Sequence, residues 1–339
     1  MALRLSILDQ TPIQEGETAT QAFQHTIELA RIAEKLGYHR FWVSEHHDLD
    51  HVVGSSPEVL ISHLLAKTER IRIGSGGVML QHYSPYKVAE NFHVLASLAP
   101  GRVDLGVGRA PGGLPLSTRA LQQRNAASSP PSLDEKLTEL VSYLHNNLEP
   151  GHPLYGLKAI PVPPKPADLY LLGTSVESAE LAAKRGLPYV FAQFINSDEA
   201  VSLAAIDRYR SQFVSGQQLR PEAIIALSVI VADSDAEART LAAENEQVTI
   251  HLASGKTLTL NSMKKAREFE KHSTEAFTLE IKEPHILSGS KKTVREKLLA
   301  LQQTYQVDEL VIVTPIKSFP KRIRSYELLV EAFSELPVC

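Results

Sequence analysis

One cysteine, Cys339, is all that the 339-residue chain contains. Neither a disulfide framework nor a thiolate metal site can therefore be built within one copy. That usage fits a reducing compartment, and a cytoplasmic location is expected. No run reaches the ~18 uncharged apolar residues of a membrane span. The first ten residues, Met1 to Gln10, carry Arg4 and Asp9 inside their apolar stretch, unlike a secretory leader. Positive charge is not in excess either: Lys plus Arg number 35 against 39 Asp plus Glu, a net charge of -4. Nucleic acid and anionic lipid are thus poor partners. What is present, 43% hydrophobic and 22% charged residues, suits a globular protein with a large core that binds small molecules.

β-rich runs alternate with helical patterns along nearly the whole chain, the sign of βα units and a parallel sheet. Strands are predicted at Leu3 to Leu8, His39 to Ser44, Ile71 to Leu80, Arg102 to Val107, Leu169 to Leu172, Tyr189 to Phe194, Ile224 to Val231 and Leu310 to Val313. Helices are predicted at Thr18 to Leu36, closed by Gly37, and from Pro57 and Pro85 as first-turn prolines. Others follow at Leu133 to Asn147, Ser175 to Arg185, Asp198 to Val214, Asp233 to Lys271 and Arg322 to Phe333. About eight strands with about eight helices in one chain is the count of a single (β/α)8 TIM barrel with insertions. A doubly wound sheet would want a GxGxxG turn after the first strand, which Asp9 to Gly16 does not supply.

In a barrel the chemistry lies where strands end. After the second strand stands Glu45-His46-His47-Asp48-Leu49-Asp50-His51. A strand-terminal histidine backed by a carboxylate can serve as base or polar contact. The same residues also suit a solvated loop or a divalent-metal site of a hydrolase. The third strand carries Gly74, Gly76 and Gly77, which fits either a ligand lying flat against the backbone or a bulge. Arg109 follows the fourth strand in a Gly-rich loop, and Gly173-Thr174-Ser175 leads from a strand into a helix containing Ser178. This is a candidate phosphate site, or equally an ordinary helix cap.

Taken in order, Trp42 to His47, Ile73 to Val78, Leu98 to Arg109 and Gly173 to Ala179 resemble the bacterial luciferase-like flavin-dependent monooxygenases. The resemblance covers most of the chain, strongest over 1–113 and 168–195, and places variable helical insertions at about 240–285. It implies a TIM barrel that binds FMN, delivered reduced by a separate flavin reductase, and uses O2 on a small organic substrate, commonly as a homodimer. Carried over, His46 is the active-site histidine, and Arg109, Thr174, Ser175 and Ser178, with Gly173 beside them, hold the FMN phosphate. Gly76-Gly77 is a cis peptide against the flavin. Gly108 stands where light-emitting members have a reactive cysteine, so luminescence is not implied. A deazaflavin-dependent branch shares the same barrel. Phe41, Val78, Leu80, Tyr83 and Phe194 are candidate apolar walls, the helices from Pro57 and Pro85 are candidate dimer elements, and the segments Ala110 to Ser132 and Asn245 to Pro284 are candidate lids.

Overall fold

A computed structural model describes residues 3–113, 115–122, 131–215, 218–245, 247–252, 257–260, 277–282 and 285–334. Cys339 and parts of the two candidate lid segments lie outside the described residues. In chain order the elements are β1 (Arg4–Asp9), α1 (Ala19–Leu36), β2 (Arg40–Val43), α2 (Pro57–Lys67), β3 (Arg72–Met79), α3 (Pro85–Leu98), β4 (Val103–Gly108), α4 (Pro115–Gln122) and α5 (Leu133–Leu144). Then follow β5 (Asp168–Gly173), α6 (Val176–Lys184), β6 (Tyr189–Ala192), α7 (Glu199–Ser211), β7 (Ala223–Val231), α8 (Asp235–Ala243), β8 (Gln247–Leu252), β9 (Thr257–Leu260) and β10 (Phe277–Lys282). The last are β11 (Leu287–Gly289), α9 (Lys291–Tyr305), β12 (Glu309–Val313) and α10 (Phe319–Ser334).

Two compact units are distinguished, Met1–Ala226 with Tyr305–Val313, and Leu227–Thr304 with Thr314–Cys339. In the first, parallel pairings run β12, β1, β2, β3, β4, β5, β6, β7. The ring closes because β7 is also hydrogen-bonded to β12. Eight strands with helices between them make the (β/α)8 barrel, and closure rules out the open doubly wound sheet. Leu8, Trp42, Tyr170, Val190, Ile224, Ala226, Val311 and Val313 form one buried cluster, filling the ring as the side-chain layers of such barrels do.

Local chemistry explains the helix boundaries. Thr18 and Gln21 form a reciprocal capping box at the start of α1, and Gly37 ends it at φ 83°, a left-handed cap that favours glycine. Helices α2 and α3 start on Pro57 and Pro85, with no side-chain cap bond; proline lacks the N–H that would otherwise want a partner.

At the strand starts lies a buried ionic layer that the sequence does not announce. Arg40 donates from Nη1 to Asp104 at 3.0 Å and from Nη2 to Glu309 at 3.0 Å. Its guanidinium lies 4.8 Å from the Tyr170 ring centroid. Trp42 Nε1 donates to Asp104 at 2.9 Å, Ser6 Oγ to Glu309 at 2.6 Å, and Arg72 bridges Asp104 and Asp168. Charge at this end of a barrel serves stability rather than chemistry.

In the second unit, Ile230, Ala232, Ala238, Leu241 and Ile316 pack together, and β11 extends β7 in parallel. The helix expected over Asp233 to Lys271 is corrected here: α8 stops at Ala243. Among the described residues of the insertion at about 240–285, expected to be helical, 247–252, 257–260 and 277–282 form the antiparallel sheet β10-β8-β9, and the expected helix over 261–271 lies outside the described residues. The reason is legible afterwards. Val248, Ile250 and Leu252 alternate with Thr249 and His251, and Phe277, Leu279 and Ile281 alternate with Thr278 and Glu280, which is the period of a strand. Helices α4 and α9 are additions to the expected set.

Candidate active site

β2 delivers Ser44 to His47 to the C-terminal end of the ring. Glu45 is fully buried, and its carboxylate is occupied on both oxygens. Oε1 accepts from Tyr83 OH at 2.7 Å and lies 2.7 Å from His47 Nε2, while Oε2 accepts from Met79 N at 3.0 Å. A carboxylate acceptor requires the proton on His47 Nε2. The histidine of the cluster backed by a carboxylate is therefore His47. His46 places its Nδ1 3.1 Å from Ser44 Oγ, and its backbone N–H donates to Gly54 O at 2.8 Å. Burial, then the neighbouring His51 and His47, lower the His46 pKa below its ordinary 6.5, so its ring is the neutral form at pH 7.

β3 runs beside it. The Gly76–Gly77 peptide is cis, as the resemblance implies, and the β3–β4 register shifts between Ser75 and Val78. A Cβ on Gly76 would stand 2.8 Å from Leu8 Cδ1, and one on Gly77 2.8 Å from the Gly106 carbonyl. Backbone atoms alone thus require glycine at position 77, whereas at 76 the contact is with the far end of the Leu8 side chain. Phe41, Val78 and Leu80 are buried, Phe194 is partly so, and Tyr83 departs from its expected role as an apolar wall by bonding to Glu45.

The Val107–Leu171 register of β4 and β5 brings the residues after both strands together. Arg109 is exposed and, among the described residues, has no hydrogen-bond partner. At the start of α6, Ser175 and Ser178 form a capping box, Ser178 Oγ donates to Ser175 O at 2.8 Å, and Tyr189 OH lies 2.8 Å from Ser178 Oγ. Ser175 Oγ accepts from Ser178 N at 3.4 Å, so both side chains take part in capping the helix start. A Cβ on Gly173 would collide with Ser178 Oγ, so Gly173 is required by that cap. The Thr174 carbonyl accepts from Asn196 Nδ2 at 2.9 Å, and among the described residues its hydroxyl has no hydrogen-bond partner. Ser175, its own backbone and Arg109 hold the Glu177 carboxyl below its usual range, which puts the Arg109 charge beside the helix start.

His46, Gly76–Gly77, Arg109 and Thr174 therefore stand at one end of four consecutive strands. Strand β2 lies three strand spacings from β5, roughly 14 Å along the sheet. Among the described residues no group of three or more His, Cys, Asp or Glu side chains is placed to hold a metal ion. Sequence reasoning missed His82, which contacts Pro111 O at 2.8 Å through Nε2 and the Gln122 amide at 3.1 Å through Nδ1. It also missed Lys136. The signal was there, since Lys136, Leu140 and Tyr143 fall at helical spacing on the buried face of α5.

The luciferase-like monooxygenase family profile matches residues 3–306. An N-acetyl-S-alkylcysteine monooxygenase of Bacillus subtilis is 44% identical over 332 residues, 97% of this chain and 98% of that protein. The solved structure of apo-MsnO8 superposes with a TM-score of 0.80 at 36% identity, covering 99% of both chains. The oxygenating constituent of 3,6-diketocamphane monooxygenase from Pseudomonas putida, solved in complex with FMN, shares the fold at a TM-score of 0.70 and 20% identity, over 98% of both chains.

Proposed function

The chain belongs to the luciferase-like monooxygenase family and is an oxidoreductase; on that premise we propose that it uses reduced FMN, supplied by a separate reductase, and O2 to oxidise a small organic substrate. One observation carries the reading: a partly buried histidine, a glycine pair, and an exposed arginine with a threonine at a helix start share the C-terminal end of strands β2 to β5. Reduced FMN would supply the electrons that activate O2.

The protein's own contributions follow from the geometry. Arg109 and Thr174, with the positive end of the nine-residue α6, suit the phosphate. Ser175 and Ser178 brace that end by capping it. Gly76–Gly77 removes side chains from the strand facing the ring, and His46, neutral at pH 7, accepts a proton from substrate or cofactor. A thioether carrying an N-acyl amino acid, the substrate type in the name of the 44% identical relative, is the first compound to assay. The whole chain is read as one oxygenase domain with its insertion at about 240–285. A homodimer would cover Val59 of α2 with Val94 and Leu98 of α3, which are exposed at 67%, 44% and 67%.

Titration of the protein with FMN, reduced FMN and a deazaflavin tests the cofactor. Arg109→Ala should weaken FMN binding by about 1.5–3 kcal/mol, the range for a hydrogen bond to a charged group. Unchanged affinity removes Arg109 from the site, and preference for the deazaflavin replaces the cofactor.

A further inference from the structure

Lys136 lies on α5, only 6% exposed, and among the described residues makes no ion pair. Its ammonium faces three backbone carbonyls: Leu80 O at 3.2 Å, Gln81 O at 2.9 Å and Tyr83 O at 3.0 Å. Three donors meet three acceptors. These carbonyls lie in and just after the short 3-10 turn Leu80–His82 that follows β3, where a helical end leaves carbonyls without partners and favours a cation. Burying an ammonium without a carboxylate is costly, and burial lowers its pKa accordingly. What the arrangement fixes is the turn. That turn points Tyr83 at Glu45 and His82 at Pro111 O, and Glu45 in turn holds His47 next to His46.

We propose that Lys136 is a positioning residue: by clamping the Leu80–Tyr83 turn it holds Tyr83 on Glu45, and through Glu45 it sets the His46–His47 segment for reaction. The chain of contacts is continuous, from Nζ through the Tyr83 backbone to its hydroxyl, the carboxylate and the imidazole. This rests on reading the β2 end of the barrel as the reaction site.

The test uses the full-length protein loaded with FMN. Lys136→Met keeps the side-chain length and removes the donors, Lys136→Arg keeps charge and donors, and Tyr83→Phe removes only the hydroxyl. Two readouts are taken: steady-state turnover, and the imidazole N–H resonance of His47 in histidine-labelled protein, assigned by its loss in His47→Gln. Folded Lys136→Met should move the His47 resonance, lower kcat at least tenfold and leave FMN affinity within threefold. Lys136→Arg should recover part of both, and Tyr83→Phe should reproduce both effects. If Lys136→Met does not fold, Tyr83→Phe and Lys136→Arg decide the matter on the same two readouts. An unmoved His47 resonance overturns the proposal. So does wild-type turnover, with His46→Ala marking where the failure lies: loss of activity there leaves the site reading intact, whereas activity retained in both variants removes the site reading as well.

Discussion

Replacing Arg40 with Met tests the ionic layer at the strand starts. The Arg40 side chain is 2% exposed, and its partners Asp104 and Glu309 are both at 0%. Methionine fills much of the volume but leaves two buried carboxylates short of a cation, a change that costs about 3–5 kcal/mol. The loss is unevenly shared. Asp104 retains Arg72 Nε at 3.0 Å and Trp42 Nε1 at 2.9 Å. Glu309 keeps Ser6 Oγ at 2.6 Å, but its remaining cation is Arg4 at 3.6 Å, whose side chain is 40% exposed. Glu309→Gln in the Arg40→Met protein should therefore recover about 1–3 kcal/mol, the cost of the unpartnered charge. Trp42, the only tryptophan of the chain, sits in the layer and reports its unfolding by fluorescence in urea. At 2–4 °C per kcal/mol the single variant should melt roughly 6–20 °C lower. A loss under about 1 kcal/mol, or no recovery in the double variant, would refute the assignment of this layer as a stability determinant.

Other outcomes follow from the opposite end. His46→Ala should keep the fold and lower turnover about 100-fold, the usual contribution of a positioned acid–base group. With His46 as the proposed base, and burial, then His51 and His47, lowering its pKa, activity should fall only as pH drops below 6.5; His51→Gln should move that limb upward, and a limb that stays put in His46→Ala belongs to another group. At β4, Gly106→Ala drives a Cβ into Ser75 O and within 2.8 Å of Leu172 Cδ1, whereas Gly108→Ala meets nothing within 4 Å. Thermal melting should show a loss of at least about 1–3 kcal/mol for the first and under about 0.5 kcal/mol for the second; equal stabilities would contradict the packing.

The alternation of strands and helices made the barrel readable, because each strand is a compact apolar run and each helix carries a capping or proline signal at its start. Boundaries shifted by one to three residues, as at β5 and α7, where helix ends and strand ends share the same polar residues. At the start of the insertion the expected helix gives way to β8 because a polar stretch after α8 carries the helical pattern past Ala243 and outweighs the alternation at Val248, Ile250 and Leu252. At the candidate site, the loop residues stand out in the sequence because loops concentrate ionisable side chains there. Tyr83 and Lys136 escaped for a physical reason: a tyrosine beside Leu80 reads as apolar and a lysine on a helix reads as solvated, and only the fold shows which carboxylate or carbonyls await them. Ser175 and Ser178 show the converse, since one pattern serves both a phosphate site and a cap.

The separation of the Arg40 layer from the His46 end has an evolutionary consequence. The charges proposed to stabilise the ring sit at the starts of the strands, while the residues proposed to meet cofactor and substrate sit at or beyond their ends. Substitutions that retune substrate preference therefore need not touch the groups on which folding depends. Such a chain can explore new oxidations without first acquiring compensating mutations, provided that the few residues bridging loop and scaffold, Glu45 foremost, are left in place.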